Sequence, residues 1–189
     1  MSTTVTTATP TTTPARTTWT IDPAHSHVGF SVRHMMISTV KGRFGDVAGT
    51  ITLADDISQS TVEAAIAVDS IDTREPQRDA HLRSADFFDA AQFPTITFKS
   101  RRVVPTGTGT FAVTGDLTIK GVTREVVLEV IEEGRGKDPW GGERAGFTAH
   151  TAINRRDFGL TYNQVLETGG VLVGEEIKIS LDIELIKQA

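Results

Sequence analysis

HVGFSVRH, His27 to His34, decides how this chain is read. Val28, Phe30, Val32 and His34 share one parity; His27, Gly29, Ser31 and Arg33 share the other. Side chains along a strand alternate between faces, so this stretch reads as a strand with one apolar face. EEIKISLDIEL near the C-terminus repeats the pattern, with Ile177, Ile179, Leu181, Ile183 and Leu185 opposite Lys178, Ser180, Asp182 and Glu184. Between them, VEAAIAV aligns Val62, Ala64, Ile66 and Val68, and TITFKSRRVV aligns Ile96 and Phe98. GTFAVTGDLTIKG aligns Phe111, Val113, Leu117 and Ile119, and TREVVLEVI follows after a Lys-Gly-Val turn. GFTAHTAIN aligns Phe147, Ala149, Thr151 and Ile153. In VKGRFGDVAGTITL the parity slips between Phe44 and Val47, so Gly45 or Gly49 is expected to supply a bulge.

Turn chemistry separates these runs at Ala-Asp-Asp 54–56, Pro-Thr-Gly 105–107 and Asp-Pro-Trp-Gly-Gly 138–142. Short strands with hairpin-length links imply an all-β, antiparallel fold. A single apolar face is buried either in a sandwich or in a closed barrel, and closure removes exposed edges. A barrel of about eight strands has room for side chains or one small ligand. Ala64, Ala149 and Gly115 at or beside inward positions leave volume for a cavity.

The 189 residues carry a net charge of −5, which argues against nucleic acid as a partner. There is no cysteine, which excludes disulfides, thiolate metal sites and a cysteine nucleophile. Residues 1–18 are rich in threonine and too poor in apolar side chains to offset the entropy of ordering; they read as a flexible tail before a folded domain over 19–189. They lack the features of a secretory signal, and no apolar run is long enough for a transmembrane segment, so the expected location is cytoplasmic.

RDAHLRSADFFD, Arg78 to Asp89, breaks the alternation. Asp72 or Thr73 is the expected N-cap of a short helix, with Glu75 at capping-box spacing and Pro76 in the first turn. Asp79 and Arg83 are spaced as a surface ion pair, while Phe87, Phe88 and Phe93 supply buried area. The segment is expected to lie across one end of a barrel, as a plug or as a ligand gate.

TWTIDPAHSHVGFSVRH, VKGRFGDVAGTI, SIDTREPQRDAHLRSADFFDAAQFPTITFKS, TGDLTIKGVTREVVLEV and INRRDFGL occur in an order and spacing that resemble the YceI-like family of polyisoprenoid-binding, lipocalin-like proteins. The resemblance runs from about Trp19 to Leu185 and implies a closed antiparallel β-barrel. It also implies a homodimer and a long-chain isoprenoid, polyprenyl pyrophosphate, quinone or similar lipid as ligand, with no other cofactor. Many members of the family carry a secretory signal, which the threonine-rich tail replaces here.

On this reading the expected ligand-binding walls are Val28, Phe30, Val32, Ile66, Phe98, Phe111, Val113 and Phe147, with His34, Phe87, Phe88 and Phe158 beside them. Arg78, His81, Arg155 and Arg156 are candidates for a polar head, Arg155 and Arg156 also reading as a solvated loop pair. His25 and His27 share a parity that suits a metal but lack a clear third ligand, with His81 or Asp79 as candidates, so no metal is assigned. The alternative to a carrier is an isomerase or hydrolase with His34 and Asp157 as an acid–base pair. No nucleophile elbow or nucleotide loop supports it, and Asp157-Phe158-Gly159 stands without the other kinase motifs.

Overall fold

The structure, a computed structural model, describes residues 15–167 and 169–189. Eleven strands form one antiparallel sheet: β1 Arg16–Ile21, β2 His27–His34, β3 Ser38–Phe44, β4 Val47–Ala54, β5 Thr61–Ala67, β6 Ile71–Asp72, β7 Thr95–Gly107, β8 Thr110–Ile119, β9 Val122–Lys137, β10 Glu143–Asn154 and β11 Val173–Lys187. The order β1-β4-β5-β7-β8-β9-β10-β11 closes by pairing of β1 with β11, which makes an eight-stranded barrel. The expected closed barrel is therefore the observed fold.

Strands β2, β3 and β6 extend three of the eight staves. β1 continues into β2 past Asp22–Ser26, β3 into β4 past Gly45-Asp46, and β5 into β6 past a 3-10 turn over Val68–Ser70. Partners follow across the breaks: β1 with β4 and β2 with β3, while β11 pairs with both β1 and β2. The parity slip seen in the sequence sits at Gly45-Asp46. Phe44 pairs with Val28 before it and Val47 with Ile66 after it, so both sets of apolar side chains reach the interior. Gly49 serves a different purpose: a Cβ there would lie 2.7 Å from the Glu63 carbonyl oxygen and 2.8 Å from Ile21 Cδ1.

The tail boundary moves. Arg16, Thr17 and Thr18 pair with Ala54, Leu53 and Thr52, and Thr17 Oγ1 accepts from Trp19 Nε1 at 2.9 Å. Those three residues belong to the barrel rather than to a tail, because β4 offers them a paired edge; residues 1–14 lie outside the described ones. The 105–107 turn also moves: β7 runs to Gly107, and the link to β8 is residues 108–109. The Lys120-Gly121 turn is a two-residue hairpin with φ of 50° and 73°, the conformation of the turns whose twist matches paired strands.

The helix α1, Pro76–Arg83, joins β6 to β7 at the barrel end that also holds the β2–β3 hairpin, Tyr162 and Leu172. Its N-cap is Glu75, which accepts from Gln77 N at 3.1 Å, in place of the expected Asp72 or Thr73. Asp72 instead accepts from Arg74 N and from Arg43. Asp79 is buried and accepts from the backbone N–H and the hydroxyl of Thr73, so it makes no surface pair with Arg83. Arg83 donates to the carbonyls of Asp69 and Ile71.

Phe158, Ile71, Leu185 and Val68 are the most completely buried large side chains. Phe158→Ala is expected to destabilise the fold by about 3–5 kcal/mol, from lost burial and an unfilled cavity, measured by urea denaturation.

Candidate functional site

The barrel encloses a cavity of about 300 Å³. Each wall position expected from parity faces it: Val28, Phe30 and Val32 from β2, Ile66 from β5, Phe98 from β7, Phe111 and Val113 from β8, and Phe147 from β10. Ala64 and Ala149 line it as well, and their small side chains leave part of that volume open. Phe87 and Phe88 reach in from the segment after α1, and Phe158 from the 3-10 turn Arg155–Phe158. Phe30, Phe44 and Phe88 form a chain of tilted and edge-on contacts at 5.6 and 5.9 Å between centroids.

The other candidates lie elsewhere or are already engaged. Arg78 donates to Thr73 Oγ1 at 2.7 Å and to the Thr73 carbonyl at 2.8 Å, outside the cavity lining. His81 Nε2 is 2.9 Å from Asp86 Oδ2, and its ring packs edge-on against Phe87 and Tyr162 at 5.1 and 4.8 Å. His34 closes β2, paired with Ser38 and Val173, just beyond the last wall residue of its strand. Among the described residues no hydrogen bond joins His34 to Asp157, and Asp157 is exposed.

Arg155 and Arg156 part company. Arg156 donates to Glu175 Oε1 at 2.9 Å on the outside. Arg155 is 4 % exposed, so it is no solvated loop residue. It lines the cavity, yet Nε donates to the Gly174 carbonyl at 2.8 Å, Nη2 to that of Val173 at 3.2 Å, and Nη1 to that of Leu160. Burial pushes its guanidinium down from the ordinary arginine value. The side chain ties residues 160 and 173–174 across one barrel end, with Phe158 and Leu160 buried beside it.

Sequence reading missed the charged pair Glu132 and Arg135, which also lines the cavity. Glu132 pairs with Phe147 across to β10, so it continues the inward row of Val126, Leu128 and Val130. The register then shifts: Gly146 pairs with Gly134 and Ala145 with Arg135, leaving Glu133 as an extra residue. This bulge turns Arg135 inward, where plain alternation would point it out. The signal available in the sequence was the glycine spacing of EEGRGK.

His25 and His27 do not act together. His25 Nδ1 is 2.9 Å from Asp22 Oδ2, while His27 is exposed on β2. His81 and Asp79, the candidate third ligands, are held by Asp86 and Thr73. Asp22, His25 and Glu184 place donor atoms within 4.8 Å of one another, but Arg144 already donates to both carboxylates and to Asp138 Oδ2. The positive charge of that cluster is the guanidinium. Hydrogen bonds from His25 and then Arg144 hold Asp22 at a pKa of about 2, and Asp22 in turn raises His25.

Fold and cavity define the class: a closed, eight-stranded antiparallel β-barrel with an apolar interior. The chain belongs to the YceI-like family, whose domain matches residues 19–185. A UPF0312 protein of Staphylococcus aureus is 40% identical over 173 residues, covering 89% of this chain and 96% of that one. BcnA of Burkholderia cenocepacia superposes with a TM-score of 0.76 at 25% identity, over 87% of this chain and 98% of that one. A polyisoprenoid binding domain from Saccharophagus degradans shares the fold, with a TM-score of 0.68 at 12% identity over 90% of this chain and 98% of that one.

Arg155→Met takes the guanidinium donor from the carbonyls of Leu160 and Gly174, while that of Val173 keeps Asn163 Nδ2, and is expected to cost several kcal/mol, at about 1–3 kcal/mol for each buried group left unsatisfied. Arg78→Ala is expected to cost only about 0.5–1.5 kcal/mol; both are read by urea denaturation. For pH, a depressed Asp22 pKa contributes stability that is present above 3.8 and is lost as pH falls from there to about 2. A raised His25 contributes stability present below 6.5 and lost as pH rises through its raised value. Asp22→Asn is expected to flatten both limbs of the stability–pH curve.

Proposed function

We propose that this protein binds and carries a long-chain isoprenoid or similar amphiphilic lipid inside the barrel, without chemistry on it. The observation that carries the reading is a cavity whose walls are aliphatic and aromatic side chains from every stave, with charge confined to Glu132, Arg135 and Arg155. Such a cavity favours an apolar chain, since each buried methylene contributes about 0.8 kcal/mol against the cost of association. It discriminates little between chains of similar width, because one methylene in an apolar pocket is worth about 1–3 kcal/mol. Length and head group then set the preference. The structural likeness to a polyisoprenoid binding domain supports the same ligand class.

Mass spectrometry of an organic-solvent extract of the purified protein is expected to show a stoichiometric lipid. Ala64→Trp fills cavity volume at a lining position. It is expected to weaken long alkyl or isoprenoid ligands by about tenfold or more relative to short ones, at an almost unchanged melting temperature. An empty extract together with no binding of any isoprenoid alcohol would overturn the proposal.

A further inference from the structure

We infer that Arg135, steered by Glu132, is the head-group site of the cavity, and that it takes an amphiphile with an anionic oxygen head, a phosphate or a carboxylate. The inference rests on the carrier reading and adds the polarity of the ligand in the barrel. Among the described residues three charged side chains line the cavity, and their states differ. Arg155 is buried, and each of its three nitrogens is bound to a backbone carbonyl, so it has little left to offer a ligand. Arg135 lies toward the opposite end, and its side chain is 49% exposed. Its Nε and Nη2 donate to Glu132 at 2.6 and 3.4 Å, while Nη1 makes no hydrogen bond to the described residues. Its guanidinium carbon stands 6.0 Å from the ring centre of Trp19, which is buried.

The result is a planar donor fork at the solvent-facing end of an apolar cavity, held from below by an indole and from the side by a carboxylate. Glu132 takes the Nε–Nη2 edge, and the remaining edge with Nη1 matches the paired oxygens of phosphate and carboxylate. The bulge at Glu133 aims it inward, which a regular strand would not do. With the head at Arg135, the chain runs toward Phe88 and Phe158 at the closed end. Glu132 orients the fork, and its negative charge limits how tightly an anion is held.

Farnesyl phosphate and farnesol share one chain and differ in the head, so titrating both separates head from tail. The expected result is that Arg135→Gln weakens farnesyl phosphate by roughly 10- to 100-fold, the worth of a charge-assisted hydrogen bond, and leaves farnesol unchanged. Glu132→Gln is expected to tighten farnesyl phosphate severalfold, again without effect on farnesol. If farnesol binds but the phosphate-to-alcohol ratio survives Arg135→Gln, or Glu132→Gln weakens both ligands together, the pair is a structural clamp on Trp19 and the head-group site is overturned while the carrier reading stands. If neither ligand binds the wild-type protein, both fall.

Discussion

Pairing of β11 with two partners closes the barrel. Its C-terminal part pairs with β1 through Leu185, Ile186 and Lys187, and its central part pairs with β2 from Ile177 to Asp182. Without it the sheet would end in two long edges of unpaired backbone, and the apolar face of every strand would lack a cover. The side-chain and backbone bonds around this seam are dense. Ser26 Oγ donates to the Glu184 carbonyl and accepts from the Glu184 amide, and Arg144 draws Asp22, Glu184 and Asp138 together. These contacts hold the kink between β1 and β2 against β11, so that one strand can serve both.

Closure also creates the cavity. Eight staves enclose a space that side chains fill or leave open according to their size. Large aromatic residues fill the end beneath α1, where Phe44, Phe87, Phe88 and Phe158 converge. Alanines at 64 and 149 leave the wall thinner further along. The inward position of Arg135 depends on one further feature, the bulge at Glu133.

The segment RDAHLRSADFFD, so conspicuous in the sequence, turns most of its polar groups onto its own surroundings. Arg78, Asp79 and His81 spend their polar groups on Thr73 and Asp86, while Leu82, Phe87 and Phe88 carry the apolar contacts into the cavity. Charge in that stretch organises the turn that presents the phenylalanines. A dense cluster of ionisable residues beside a cavity is a reasonable functional candidate. Here the hydrogen-bond partners assign most of it to local structure.

Alternation alone determined the all-β class, the inward wall from Val28 to Phe147, and the parity slip near Gly45, because side-chain facing on a strand is a local property of the backbone. The likeness of the motifs to a known family pointed to closure and to the ligand class. Only the tertiary structure decided the rest. Which arginine spends every nitrogen on backbone carbonyls depends on residues brought in from far along the chain, as Gly174 and Val173 are to Arg155. That Arg135 faces inward depends on its register against β10, and no single strand carries that information. Thr18 looked like tail, yet Arg16 and Thr17 with it became barrel, because a paired edge on β4 supplies backbone hydrogen bonds that composition does not reveal.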